Sequence, residues 1–484
     1  MRRDTTMKNR IPAIAVLAAL VVAGCSTIRQ ARSAQEAAEA RGAGKAVAAN
    51  KVDFRGWSLE SLVGFAMTNR PSVVSARLDV EDARLALKAI AADAPLVSAT
   101  PWTAPTISAS IGHSESSAGT SFSDLRFDTR GAASAALSLD VLVWDFGRNH
   151  SRAKAQSERV VAAETALLGE GFRVFEEVSN AYFSFQERRS LLEVACTNES
   201  QYADHLHRAE QRLDAGEADR LDVLKARLDL AKARQATVAA SNQVLTSGAQ
   251  LMNALGVDAS RGTCEEAFGE SRLAMGEVVR AFGRTEFGVE EAFGFARTNA
   301  PAVQASRARL RAASRDVDYA VADMMPQVSA SLSLNWADPL WYWHWGVSAV
   351  QSIFQGFRKT TAVDRAVVAL RQAEAAVDEA EQGLSTSLET AVAVRDNSMQ
   401  AIASALASVR SAKENLETAR EELSVGTVSR VELSDAIAAY SSALGDSISA
   451  FYGGQRAEAA LFALAGRFPV YSEATIKEGG DEGL

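Results

Sequence analysis

Residues able to do covalent or metal chemistry are scarce in this sequence, and their spacing works against it. The five histidines are His113, His150, His205, His207 and His344. A metal site needs imidazoles converging on one point, and on a helix that means three- or four-residue spacing. His205 and His207 stand two apart in a helical stretch and face different ways, so they read as surface residues. No GxxxxGK[ST], HExxH or GxSxG pattern is present. Cys196 falls about 18 residues before a helical turn and Cys264 about 48 after it, tens of ångströms apart along helices and beyond disulfide reach. Both are expected to be thiols. No catalytic constellation, cofactor or metal site is expected, and neither is an enzyme.

The remaining cysteine has a different setting. Arg2, Arg3, Lys8 and Arg10 precede an apolar run from Ile11 to Ala23, the charged and apolar regions of a signal peptide over residues 1–24. The run is too short to span a membrane comfortably. It ends Val22-Ala23-Gly24-Cys25, which resembles the bacterial lipobox. That resemblance implies cleavage before Cys25 and lipidation of its thiol and new amino group; the alternative is an ordinary signal peptide cut elsewhere. Ser26, rather than Asp, follows the cysteine and by the usual sorting rule points to the outer membrane. Residues 25–56 are polar and Ala-rich and read as a lipidated tether; some thirty extended residues reach on the order of 100 Å.

The elements beyond the tether come twice. Gly64-Phe-Ala-Met-Thr-Asn-Arg-Pro71 returns as Gly294-Phe-Ala-Arg-Thr-Asn-Ala-Pro301, an offset of 230. Each closes a short helix before a proline and opens a second, Ala-rich one. Apolar and polar residues then alternate with period two, over about 105–112 and 133–143 in the first copy and about 327–336 and 341–352 in the second. These are strands with one apolar and one polar face. The polar face is Ser, Thr, Asn and Gln rather than charged, and Trp336, Trp341, Trp343 and Trp345 gather beside one turn like an interfacial aromatic girdle. A soluble sheet would show the same alternation; the uncharged polar face and the tryptophans favour a membrane barrel. Four strands cannot close one, because an open edge in lipid leaves backbone groups unpaired. The chain must pool strands with other copies.

After the strands come matching corners, Trp144-Asp-Phe-Gly-Arg148 and Phe354-Gln-Gly-Phe-Arg358, now offset by 210. The offset is still 210 at two further glycines, Gly216 in Leu213-Asp-Ala-Gly-Glu-Ala-Asp-Arg and Gly426 in Leu423-Ser-Val-Gly-Thr-Val-Ser-Arg. Each ends a proline-free run of about 65 residues, roughly 100 Å of helix. Glycine there lets a helix stop in a left-handed turn. Residues 148–256 and 358–466 thus read as long helical hairpins, with Ala215, Gly216 and Glu217 at one tip and Val425, Gly426 and Thr427 at the other. Apolar steps at Phe172, Phe175, Val178, Tyr182 and Phe185, and at Leu370, Val377, Leu384 and Leu388, suit coiled-coil packing. Leu221, Leu224 and Leu228 are expected to continue that seam, and Gly169 and Gly171 to soften the first long helix. Residues 257–286 read as a Gly- and charge-rich connection and 467–484 as an acidic tail, with Glu478–Leu484 expected to be disordered, leaving repeats at 57–256 and 287–466.

This duplicated order, helix–strand–strand–long helix–helix, resembles the TolC-type outer-membrane efflux proteins from about residue 57 to 466. The resemblance implies a mostly α fold with a membrane β-barrel portion: three subunits sharing one twelve-stranded barrel, continued by an α-helical periplasmic tunnel. It implies a passive export duct of a tripartite efflux or secretion system, a homotrimer in outer-membrane lipid. Its tips would dock a periplasmic adaptor coupled to an inner-membrane pump (RND, ABC or similar). Ala215-Gly216-Glu217 departs from the common tip pattern, which leaves the adaptor's identity open. The competing reading is a pore-less periplasmic coiled-coil lipoprotein with a structural or adhesive role. Nucleic acid is not expected as a partner, since the net charge is -9 and no basic cluster interrupts the sequence.

Overall fold

The computed structural model describes residues 29–36, 38, 54, 57–92, 106–116, 130–216, 219–257, 278–282, 289–337, 340–425, 429–469 and 471–476. The chain divides into Met1–Asp53 and Phe54–Leu484. In the first unit residues 29–36 are helical and exposed. Cys25 and Cys264 lie outside the described residues.

The second unit begins with Phe54 and Trp57 set edge-on against Phe65. Helix α1 (Leu59–Asn69) starts at Ser58, whose hydroxyl accepts from the Ser61 N–H, and stops at Arg70. The following proline forces that residue into extended backbone and opens α2 (Pro71–Ala92). Strands β1 (Thr106–Ser116) and β2 (Arg130–Trp144) lead to α3 (Arg148–Asp214) and α4 (Arg220–Ala254). A short strand β3 (Val278–Phe282) intervenes. The pattern then repeats as α5 (Val289–Asn299), α6 (Pro301–Ala322), β4 (Gln327–Ala337), β5 (Leu340–Val350), α7 (Arg358–Val425) and α8 (Arg430–Ala465). Strand β6 (Tyr471–Ile476) closes the described chain and pairs antiparallel with β3. The connection and the start of the tail therefore meet in a two-stranded sheet, which the sequence reading did not include; Glu478–Leu484, the stretch expected to be disordered, lies outside the described residues.

The helices form one layer four columns wide. Helix α3 packs against α2 at its start and α4 towards its end on one side, and against α6 and then α8 on the other; α7 packs against α6 and α8. The columns are thus α2 with α4, α3, α6 with α8, and α7. Two columns are single unbroken helices and two are end-to-end pairs. Phe175, Val178, Tyr182 and Phe185 are buried along α3, as Val377 and Leu388 are along α7. Leu221, Leu224 and Leu228 are not in this seam: each is more than half exposed, and Val223, Ala226, Leu230 and Ala233 fill it instead. Both sets have helical spacing, so periodicity alone does not separate them.

Gly169 and Gly171 do not interrupt α3. A Cβ at Gly169 would lie 3.3 Å from the Pro301 Cβ, so the absence of a side chain serves close approach of α6 rather than flexibility.

Candidate export channel: sheet faces, corners, joints and tips

The four long strands form one antiparallel sheet in the order β1-β2-β4-β5. Its centre is the β2–β4 pair, so the two repeats are joined by strand pairing, with Leu137 opposite Leu334 and Leu139 opposite Leu332. Opposed residues share a face. One face carries Ile107, Leu139, Leu332 and Trp345 in a single cross-strand row, and Ala109, Leu137, Leu334 and Trp343 in the next. The other face carries Ser108, Ser138, Ser333 and His344 in one row. The Ser108 and Ser138 hydroxyls lie 2.5 Å apart, and those of Ser329 and Ser348 3.1 Å apart. Asp140 is the one carboxylate on the described polar face. A sheet with a hydroxyl-rich polar face and an aliphatic–aromatic face fits water on one side and hydrocarbon on the other.

Trp336, Trp341, Trp343 and Trp345 all stand on the apolar face. Trp336 and Trp341 are cross-strand partners with ring centroids 6.2 Å apart. Trp343 and Trp345 face Leu334 and Leu332 further along the strand, so the four form a stripe of about 13 Å rather than one level.

Each strand-to-helix corner needs two consecutive residues at positive φ. In the first they are Phe146 (55°) and Gly147 (84°); in the second Gly356 (62°) and Phe357 (61°). Glycine and phenylalanine have exchanged places while the backbone path is kept. Buried Asp145 holds the first corner: the Gly147 and Asn149 N–H groups donate to its two carboxylate oxygens at 3.1 and 2.7 Å. Gln355 takes that position in the second and accepts instead from Arg358 at 3.2 Å. The corners are tied across the repeats by Asp323, which ends α6 and pairs with Arg148 at 3.1 Å and with Lys359 at 3.8 Å.

The broken columns meet at two joints. Gly256, with φ 77°, ends α4 so close to α2 that an added Cβ would lie 3.1 Å from the Arg70 Cα. Gly466, with φ 71°, ends α8 so close to the α5–α6 junction that an added Cβ would lie 3.2 Å from the Asn299 carbonyl oxygen. Arg70 secures the first joint, donating to the Ala254 carbonyl and pairing with Glu177 of α3. Glu177 also pairs with Arg173, which holds Glu170. The Arg173 hydrogen bond depresses the Glu170 pKa against an opposing effect of burial. Burial, and then the charge of Glu177, raise that of Glu176. Neither joint was part of the sequence reading; the signal is a residue–proline helix start on one element facing a helix-ending glycine on another.

At the far end the hairpins turn. Gly216 has φ 76° and follows Ala215, the last residue capping α3; Glu217 lies outside the described residues. Helix α7 runs to Val425, Gly426 and Thr427 lie outside the described residues, and α8 opens on a reciprocal capping box between Ser429 and Glu432. Above the turns Tyr202, Leu230, Leu416 and Leu433 bring α3, α4, α7 and α8 into one apolar cluster. The Tyr202 hydroxyl reaches the Ser434 carbonyl at 3.5 Å.

The model for the family described as outer membrane efflux protein matches residues 66–257 and 294–467, both repeats and most of the chain. The chain belongs to the outer membrane efflux protein family. No curated protein matches it by sequence. Among solved structures it resembles the Campylobacter jejuni CmeC outer membrane channel with a TM-score of 0.71 at 15% identity, over 85% of this chain and 86% of that one. The outer membrane protein VceC from Vibrio cholerae gives 0.70 at 15% identity, over 84% and 96%. A membrane protein from Pseudomonas aeruginosa gives 0.70 at 21% identity, over 85% and 91%. At these identities the likeness is one of fold: a helical tunnel with a barrel portion. This family member is an outer-membrane export duct with a periplasmic helical extension, not an enzyme. Outer membrane efflux proteins are trimeric and work with periplasmic adaptors and inner-membrane pumps.

The histidines are dispersed: His113 in β1, His150, His205 and His207 in α3, and His344 in β5. Among the described residues no three His, Cys, Asp or Glu side chains are grouped to hold a metal ion. Cys196 is an exposed thiol on α3. No described helix is long and apolar enough to cross a membrane.

Proposed function

We propose that this duct is a homotrimer whose three sheets close one twelve-stranded barrel, each β5 pairing with β1 of the next copy. The observation that carries the reading is the four-stranded sheet itself, apolar on one face, hydroxyl-lined on the other, with β1 and β5 unpaired at its edges. Closure is obligatory in lipid, where an unpaired backbone group costs several kcal/mol. Two copies would supply eight strands, a number whose interior is filled by side chains. Three supply twelve and leave a water-filled bore. The exposed leucines of α4, Leu221, Leu224 and Leu228, support the same assembly, since the α2–α4 column and α7 are the edges of the helical layer.

The hairpin tips, Ala215, Gly216 and Glu217 with Val425, Gly426 and Thr427, are the docking points for a periplasmic adaptor that links the duct to an inner-membrane pump. Two unlike tips per chain give two unlike grooves around the ring. Cys25 carries the lipid anchor, residues 1–24 are the signal peptide, and residues 25–56 are the tether.

Detergent-extracted mass with planar-bilayer conductance tests the duct: a trimer with stable conductance is expected, and a monomer without conductance would sink it. Replacing Gly426 with a bulky residue is expected to abolish export while the trimer still reaches the membrane; unchanged export would remove the docking role.

A further inference from the structure

The apolar surface of the sheet continues past the ends of its strands. At the second corner Ile353 is 95% exposed, Phe354 74% and Phe357 73%; at the first, Trp144 and Phe146 are also exposed. The rings pair edge-on, Trp144 with Phe146 and Phe354 with Phe357. Phe146 and Phe357 keep their rings at positive φ, a conformation that disfavours any residue with a Cβ. An exposed aromatic group held at that cost in each repeat marks a surface with an apolar environment to enter.

Directly beyond the rings cations outnumber acids, with Asp145 buried, Asp323 paired and Asp364 in the second turn of α7. The first two turns of α3 carry Arg148, Arg152 and Lys154 and no acid, and α7 opens with Arg358 and Lys359. Cations at a helix N-terminus oppose the helix dipole and are stabilised there by a nearby anion. Arg148 and Lys359 have Asp323. Among the described residues Arg152, Lys154 and Arg358 have no carboxylate partner. From Trp341 to the foot of β5 the strand runs about 30 Å, which at the usual tilt spans about 25 Å of membrane normal, the height of a barrel's apolar band. Along that normal the order is apolar, aromatic, cationic, the order of bilayer core, interface and phosphate plane.

We propose that the foot of the barrel is a seat for anionic phospholipid in the periplasmic leaflet, with the corner aromatics at the acyl–headgroup boundary and Arg152, Lys154 and Arg358 on the lipid phosphates. The seat rests on the barrel reading above. Its occupant is lipid because the belt is continuous with the face that already meets hydrocarbon, and because its cations complement a phosphate plane.

The test is lipid selectivity of the full-length native channel, reconstituted in phosphatidylcholine and probed with spin-labelled phosphatidylglycerol against spin-labelled phosphatidylcholine. A preference for the anionic lipid is expected, weakened by salt, and lowered on the order of fivefold for each cation removed. The variant Arg152→Gln/Lys154→Gln/Arg358→Gln is expected to bind both lipids alike. In a second arm a spin label at Phe357→Cys, in a Cys196→Ser/Cys264→Ser background, is expected to relax strongly with oxygen and weakly with a nickel chelate. Equal association of both lipids with native channel that conducts in the same bilayer would overturn the seat and leave the duct standing. An unchanged preference in the triple variant would overturn it too. So would a label shielded from both relaxants, the result if a neighbouring subunit covers the corner.

Discussion

At the first joint Gly256 ends α4 beside Arg70 and Pro71, and Arg70 spans the gap to the Ala254 carbonyl and to Glu177. At the second, Gly466 ends α8 beside Asn299 and Pro301, with Ala300 where the first has Arg70. The backbone devices are the same: a left-handed glycine, a pre-proline residue in extended backbone, and a new helix starting at proline. The side-chain chemistry is not. What the two halves retain is the steric requirement for helices to meet end to end; what they vary is the residue before the proline, Arg70 in one and Ala300 in the other.

The comparison can be broken at its steric core first. Gly256→Val and Gly466→Val each lose the left-handed conformation and drive a side chain into opposing backbone, with an expected loss of about 2–4 kcal/mol. Thermal unfolding followed by circular dichroism should show both; a silent substitution in either half would mean that joint is not close-packed. Arg70→Ala should cost about 1–3 kcal/mol, as expected for partly buried charged hydrogen bonds. Its counterpart Ala300→Gly removes one buried methyl group and no charged contact, and should cost about 1 kcal/mol; a loss as large as that of Arg70→Ala would erase the difference between the joints.

The corners offer a finer test. Phe146→Gly combined with Gly147→Phe gives the first corner the residue order of the second, and a change under about 1 kcal/mol is expected, because each order keeps one glycine and one ring. A large loss would show that Asp145 fixes the order as well as the path. The smallest effect belongs to the charges beside the first joint. Raised by burial and Glu177, the Glu176 pKa gives stability that is present below the ordinary carboxylate value and lost as pH rises through the folded value. Glu176→Gln should therefore narrow the fall in stability on going from mildly acid to neutral pH. Glu170, depressed by Arg173, works the other way: its contribution is present above the ordinary value and lost as pH falls through the depressed one. Glu170→Gln should weaken the neutral protein and match the parent in acid. Denaturant midpoints across pH would separate the two.

Much of this was legible in the residues because it is local. Alternation of Val328, Ala330, Leu332 and Leu334 with serines specifies a two-faced strand, and offsets of 230 and 210 expose the duplication. Contacts between distant segments were not legible. Nothing in Leu137 or Leu334 says that the repeats pair through β2 and β4. The five residues of β3 and six of β6 are too short, and too far apart in sequence, to announce a sheet. Leu221, Leu224 and Leu228 repeat with the spacing of a seam, yet Val223, Ala226 and Leu230 occupy it. The tip residues were found by repetition of a glycine turn, a signal that fixes their place in the chain and not their chemistry.

Both joints lie beside one short stretch of α3. Pro301 packs at Gly169, Met67 at Gly171 and Arg70 at Glu177, so the two interrupted columns break within about 12 Å of the same level. Across that level only α3 and α7 run on unbroken. In mechanical terms each subunit is two continuous beams flanked by two jointed struts, and the joints share one transverse plane. A bend at that plane can be taken up at the joints of the struts without unwinding a helix, whereas the beams must flex. The ties of the two struts differ: Arg70 links one to Glu177 of α3, while the other is linked to α3 by Arg159–Asp316 and Arg311–Glu158 and to α7 by Arg307–Glu381. Both struts are thus fastened sideways to the same continuous beam, α3.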